Sequence, residues 1–313
     1  MTKSERVIKE KSRLRALLNL TMLAAIVLFS IITSPKISLY VKEGLSLCFE
    51  AIIGSVFPFM IITDLASHIL KFDNASIWNR LFEKVFKING QAISAFLLGA
   101  ICGFPVGVKL AADMYKRGVI TRDECERLIG FSSNMGPAFI ISGIGAALCG
   151  SIKIGVILYT ATLVSSIASG FIMSRGKTSS GSIFQNEPHA FCLTDSIKSA
   201  VGNTVNICGF IIFFSTLCGL TSTVIKNDLV YSFIIPFLEV SNATKKISAL
   251  CFVPKTLKLA LISFSLSFSG LSIYMQTKSF FTGDKISMRT YLKTKLFSAV
   301  ISTLIMAAIS THI

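Results

Sequence analysis

The sequence predicts an all-α fold, a polytopic transmembrane helical bundle of about eight spanning or re-entrant segments. Three observations carry that expectation. Hydrophobic residues fill 52% of 313 positions, with a mean hydropathy of +0.69. Charged residues reach only 15%, too few to cover a water-facing surface on a chain of this length. Apolar runs long enough to cross a bilayer recur along the chain, separated by short basic connectors. A soluble enzyme is therefore the weak reading.

The net charge of +15 does not point to nucleic acid. The basic residues cluster between apolar runs and never interleave with aromatics as a binding groove requires, so they read as membrane-flanking charge. The eight cysteines are scattered through apolar stretches with no C-x-x-C and read as small hydrophobes. His68, His189 and His312 stand alone, and H-E-x-x-H, Walker and G-x-S-x-G patterns are missing. No metal, cofactor or catalytic role is expected, and no ATPase drives transport from within the chain. An intramembrane protease or lipid-modifying enzyme would need a nucleophile and base that none of the polar clusters offers.

Lys3, Arg6, Lys9, Lys11, Arg13 and Arg15 precede an apolar run over residues 16–33, read as an uncleaved first helix with a cytoplasmic N-terminus. Residues 1–44 thus form a basic N-terminus and first transmembrane helix, 45–174 a first transmembrane repeat, 175–195 a polar linker and 196–313 a second repeat. Within the first repeat, a span over 45–70 leads to a stretch, 71–89, with helical spacing of apolar residues among basic ones, which reads as an interfacial helix. An apolar segment over 91–114 is broken by Gly103-Phe104-Pro105-Val106-Gly107. The next is interrupted near Asn134-Met135-Gly136-Pro137, and 152–174 spans again. The second repeat holds a span over 197–225, a short piece over 229–238, a segment over 257–275 broken near Ser269-Gly270, and a last span over 295–309.

The halves align weakly: Phe57-Pro58-Phe59-Met60-Ile61-Ile62 with Cys208-Gly209-Phe210-Ile211-Ile212-Phe213, and the Gly103 to Lys109 stretch with Gly270-Leu271-Ser272-Ile273-Tyr274-Met275-Gln276. Repeats with helices broken at matching places mark many secondary transporters.

A helix broken inside lipid leaves backbone groups that protein, water or a solute must satisfy. A half-helix starting near Pro105 would aim its positive end inward, suited to an anion, while Gly103 and Gly107 allow close approach. Lys109 lies one turn beyond the break; it can face a solute, pair with Asp113, or snorkel to the interface. Ser133, Asn134 and Gly136 open the next segment, and Glu239 and Asn242 follow the Pro236 piece; each set can read a polar solute or cap a helix. Gly270, Ser272 and Gln276 complete the candidate substrate-binding set.

The run Leu98-Gly99-Ala100-Ile101-Cys102-Gly103-Phe104-Pro105-Val106-Gly107-Val108-Lys109, with Ala112-Asp113-Met114-Tyr115 and the later Phe131-Ser132-Ser133-Asn134-Met135-Gly136-Pro137-Ala138-Phe139-Ile140, resembles the YlbJ family of sporulation integral membrane proteins. That family lies within the wider nucleoside-recognition (Gate) domain group. Asn206-Ile207-Cys208-Gly209, Leu238-Glu239-Val240-Ser241-Asn242 and Phe268-Ser269-Gly270-Leu271-Ser272 extend the likeness from about residue 45 to the C-terminus. The resemblance implies a multi-pass permease of the cell membrane, in the membrane around the forespore, that delivers dipicolinic acid, a planar dicarboxylate. The tract at Glu239 departs from the more Thr- and Gly-rich form of the family. A nucleoside carrier and a non-transporting structural sporulation protein are the alternatives, and a homo-oligomer or a sporulation membrane partner is compatible with each.

Overall fold

The computed structural model of the chain describes residues 34–69, 76–179 and 193–311, and within them all regular structure is helical. The expected first helix over 16–33 and most of the polar linker lie outside the described residues. Helix α1, Ser34–Leu47, is the first described element. It runs on through a π-helical turn, Cys48–Ile53, into α2, Gly54–Ile69. Residues 34–44 share a helical run with the span expected over 45–70.

Helix α3, Ile77–Phe86, exposes Ile77, Trp78 and Leu81 while burying Asn79, Phe82 and Phe86. It lies at 96° to the Gly90–Cys102 segment that follows. An amphipathic helix turned across the next segment suits the expected interfacial position. Its C-terminal carbonyls, at Phe86 and Lys87, accept hydrogen bonds of 2.7 and 2.8 Å from Arg127, whose guanidinium is buried and also paired with Asp123.

Helices α4, Ile93–Cys102, and α5, Val106–Lys116, pack side by side. Each is about 15 Å long at 1.5 Å per residue, roughly half the hydrocarbon thickness. Together they form a hairpin whose tip is the Gly103 turn. Helix α6, Arg122–Ser132, opens with a capping box between Thr121 and Glu124 and continues after a break into a π-helical segment, Ala138–Leu148. Helix α7, Ile152–Ser174, and α8, Leu193–Val224, are long and apolar. Helices α9, Asp228–Leu238, and α10, Val240–Ser248, pack on each other as a second hairpin. Helix α11, Lys255–Phe268, is separated from α12, Gly270–Ser279, only by Ser269, and α13, Met288–Ser310, closes the described chain.

Among the described residues, four segments are long and apolar enough to cross a membrane: α7, α8, α11 with α12, and α13. The Ser34–Ile69 run and the broken segments are further helical elements of the expected set, and the chain is a multi-pass membrane protein. One order of elements, hairpin then broken helix then long helix, occurs twice: α4–α5, α6 with its π segment, α7; then α9–α10, α11–α12, α13. By that order the Gly103 tip corresponds to the tip at Glu239, and the break at Ser133–Pro137 to that at Ser269. The alignment of Gly103 with Gly270 is thus displaced by one element. It matches glycine to glycine, whereas the second hairpin turns on a carboxylate.

Candidate functional site

The two breaks of each half touch. In the first, Gly103 has φ +85°, and a Cβ there would lie 2.5 Å from the Gly136 nitrogen. A Cβ on Gly107 would overlap the Ser132 carbonyl oxygen, so the hairpin is pressed against the broken end of α6. In the second, Gly270 has φ +76°, and a Cβ there would lie 2.9 Å from the Leu238 carbonyl oxygen. Only glycine reconciles these dihedrals with such approach. The long helices α7 and α13 pack against each other and against both broken helices, so the two pairs of breaks share one core. Met135, from the first break, belongs to the same buried hydrophobic cluster as Val240, Leu266 and Ile273 of the second half.

At Glu239 the polar groups are occupied within the hairpin. One carboxylate oxygen accepts from the Ser241 N–H at 3.0 Å, the other from the Asn242 N–H at 2.7 Å and from its Nδ2 at 2.8 Å. Asn242 also donates to Ser215 of α8 at 3.0 Å. The buried carboxylate is the N-cap of α10 and lies at its positive end, which offsets the cost of removing it from water. Asn134 is likewise a cap: its Nδ2 donates to the Phe131 carbonyl at 2.8 Å. Gln276 donates to Ser272 Oγ at 2.9 Å and leaves its Oε1 inward. Gly103, Pro105, Gly107, Lys109, Ser133, Gly270 and Ser272 are buried, while Gly136 is partly exposed. The half-helix does begin at Val106, with Pro105 as its N-cap, and Lys109 lies in its first turn.

Lys295 is not among the site residues expected from the sequence. The pattern of apolar residues starts the last span at this position, as though the lysine flanked a membrane helix. In the structure α13 begins at Met288, which carries Lys295 two turns inside. It is 2% exposed, and its Nζ donates to the Ser133 carbonyl in the α6 break. The Tyr291 ring lies 5.9 Å from the ammonium, within cation–π range. A lysine at a membrane helix centre costs about 2.5–3.5 kcal/mol, so one retained there has a specific partner or role. The sequence signal is the stripe Lys295, Ser298, Ser302 along one face of an otherwise apolar helix. Ser298 meets Ser165 of α7 at 3.0 Å, and Ser302 pairs with Ser263 of α11.

Tyr291 joins the two halves. Its hydroxyl lies beside the side chains of Ser133, in the first break, and Thr277, at the end of α12. Among the described residues, the buried side-chain oxygens without a completed hydrogen bond are those of Ser132, Ser133, Thr204, Ser267, Thr277 and Tyr291 and the Gln276 Oε1. Most buried polar groups in proteins are satisfied, so the meeting of the Ser133, Thr277 and Tyr291 hydroxyls, drawn from the α6 break, α12 and α13, marks a place that a polar group can complete.

The chain is similar to a known sporulation protein. It aligns at 25% identity over 331 residues with the sporulation integral membrane protein YlbJ of Bacillus subtilis (strain 168), covering 90% of this chain and 81% of that one. This bears out the resemblance read from the Gly103 and Asn134 motifs. No protein-family model and no solved structure matches the chain. With 90% of the chain covered, the likeness to YlbJ takes in both pairs of breaks.

Proposed function

We propose that the chain is a secondary carrier for a small organic anion in a sporulation membrane, and that its substrate is dipicolinic acid, as the resemblance to YlbJ implies. The observation that carries the reading is the double arrangement of a hairpin tip resting on a broken helix, for interrupted helices at matching places in two halves are how secondary carriers build a solute site. The preference for an anion rests on charge. Lys109 and Lys295 are both buried beside the first pair of breaks, and the buried carboxylate of the second pair is neutralised by its own helix end. A planar dicarboxylate offers acceptors to an ammonium and to the hydroxyls of Ser133, Thr277 and Tyr291. This is binding and release chemistry, with no bond made or broken.

The test is accumulation of dipicolinate and, separately, uridine in vesicles containing the purified chain. A carrier of this kind should take up dipicolinate in excess of empty vesicles and little uridine. Uptake of uridine instead would turn the site toward a nucleoside, and uptake of neither would favour a structural membrane protein. Lys109→Gln should weaken dipicolinate uptake roughly ten- to a hundred-fold, corresponding to about 1.5–3 kcal/mol for a hydrogen bond to a charged group, while Lys109→Arg changes it far less. If Lys109 serves only Asp113, the double change with Asp113→Asn restores protein level and uptake together.

A further inference from the structure

The C-terminal end of α6 leaves carbonyl oxygens facing the protein interior, at the negative end of the helix. Neighbouring elements meet them in turn. The Phe131 oxygen accepts from Asn134 Nδ2 at 2.8 Å and from Ser166 of α7 at 2.6 Å. The Ser132 oxygen is pressed by the backbone of Gly99 and Gly107. The Ser133 oxygen accepts from Lys295. Carbonyls at the C-terminal ends of half-helices, with nearby unwound backbone, are the groups by which ion-coupled carriers hold their cation. Here they hold an ammonium that arrives on another helix.

We propose that Lys295 is a built-in cation: its ammonium stands on the Ser133 carbonyl where a coupling metal ion would bind, so the chain needs no sodium at this break. Lys295 forms no ion pair with a carboxylate among the described residues, so its charge is balanced by carbonyl and helix dipole, as a bound metal's would be. On α5, which packs on α6, Lys109 and Asp113 each have a partner and Lys116 donates to the Phe280 carbonyl, and the other charged residues of the packed elements are engaged or distant in sequence from the break. On α6 they sit in the first two turns, where Asp123 pairs with Arg127, Glu126 with Arg122, and Glu124 caps Thr121. Those of α7, α11 and α13 other than Lys295 are basic. The unpartnered hydroxyls of Ser132 and Ser133 supply further oxygens of the kind a metal would take.

The meaning for transport rests on the carrier reading, but the test does not, because it reads cation binding alone. The full chain in detergent is unfolded thermally in sodium chloride and in choline chloride at equal ionic strength. The wild type and Lys295→Arg should melt at the same temperature in both. Lys295→Ser, which removes the ammonium and opens space for a metal, should melt lower in choline and rise by about 2–5 °C once sodium exceeds its dissociation constant roughly tenfold. A sodium-specific rise in the wild type would overturn the proposal, since the metal would then have its own place. So would a Lys295→Ser variant that does not respond to sodium, or that cannot be purified even in sodium. A chain that passes this test yet moves no dipicolinate would sink the carrier reading and leave the built-in cation standing.

Discussion

The two hairpin tips meet the same difficulty with opposite charges. At the second, Glu239 belongs to the hairpin itself and closes on the N–H groups of Ser241 and Asn242, so its charge is held locally. At the first, the hairpin turns on glycines, and the charge comes from Lys295, 162 residues along the chain from the Ser133 carbonyl on which it rests. A carboxylate held by its own helix makes a rigid tip. An ammonium delivered from α13 couples the state of the α6 break to the packing of a different helix. Under the proposed carrier reading, the second pair serves as scaffold and the first as the moving, solute-facing side.

The largest effect expected from breaking this contrast is at Glu239. Glu239→Ala removes a cap and orphans two backbone donors, and should cost about 2–4 kcal/mol in thermal unfolding, with Glu239→Gln intermediate. A Glu239→Ala chain of normal stability but no uptake would reverse the contrast and put the solute at the second tip. Next is Gly107→Ala, whose Cβ overlaps the Ser132 carbonyl and should destabilise by about 1–3 kcal/mol, whereas Gly143→Ala, with open space around it, should be close to neutral. The smallest is Asn134→Ala. Losing one cap to Phe131 should cost about 1 kcal/mol and leave uptake unchanged per folded molecule, a result that uptake kinetics and melting together can check.

Much of this arrangement is legible in the residues themselves. The breaks at Gly103 and Asn134 show as glycine and proline inside apolar runs, because such residues disrupt helix hydrogen bonding wherever they stand. The tip at Glu239 is visible as a polar cluster, but its capping role is not, since Glu-x-x-Asn can serve a helix end or a solute equally well. The position of Lys295 is hidden by one helix boundary. A lysine at the start of an apolar run looks like a membrane flank, and only the helical turns over Met288–Leu292 show that it lies within. That Ser133 and Thr277 approach one tyrosine depends on how α13 packs, which no local pattern encodes.

If the two halves carry one solute between them, residues from both must border a single solute space. Single cysteines at position 133 and at position 277, in a chain whose native cysteines are replaced by serine, can be reacted with a small water-soluble thiol reagent in reconstituted vesicles. Ser133→Cys and Thr277→Cys should both react, and dipicolinate, but not uridine, should slow both over the same concentration range. Protection of one without the other, or two cysteines whose reaction is indifferent to dipicolinate, would contradict a shared solute space.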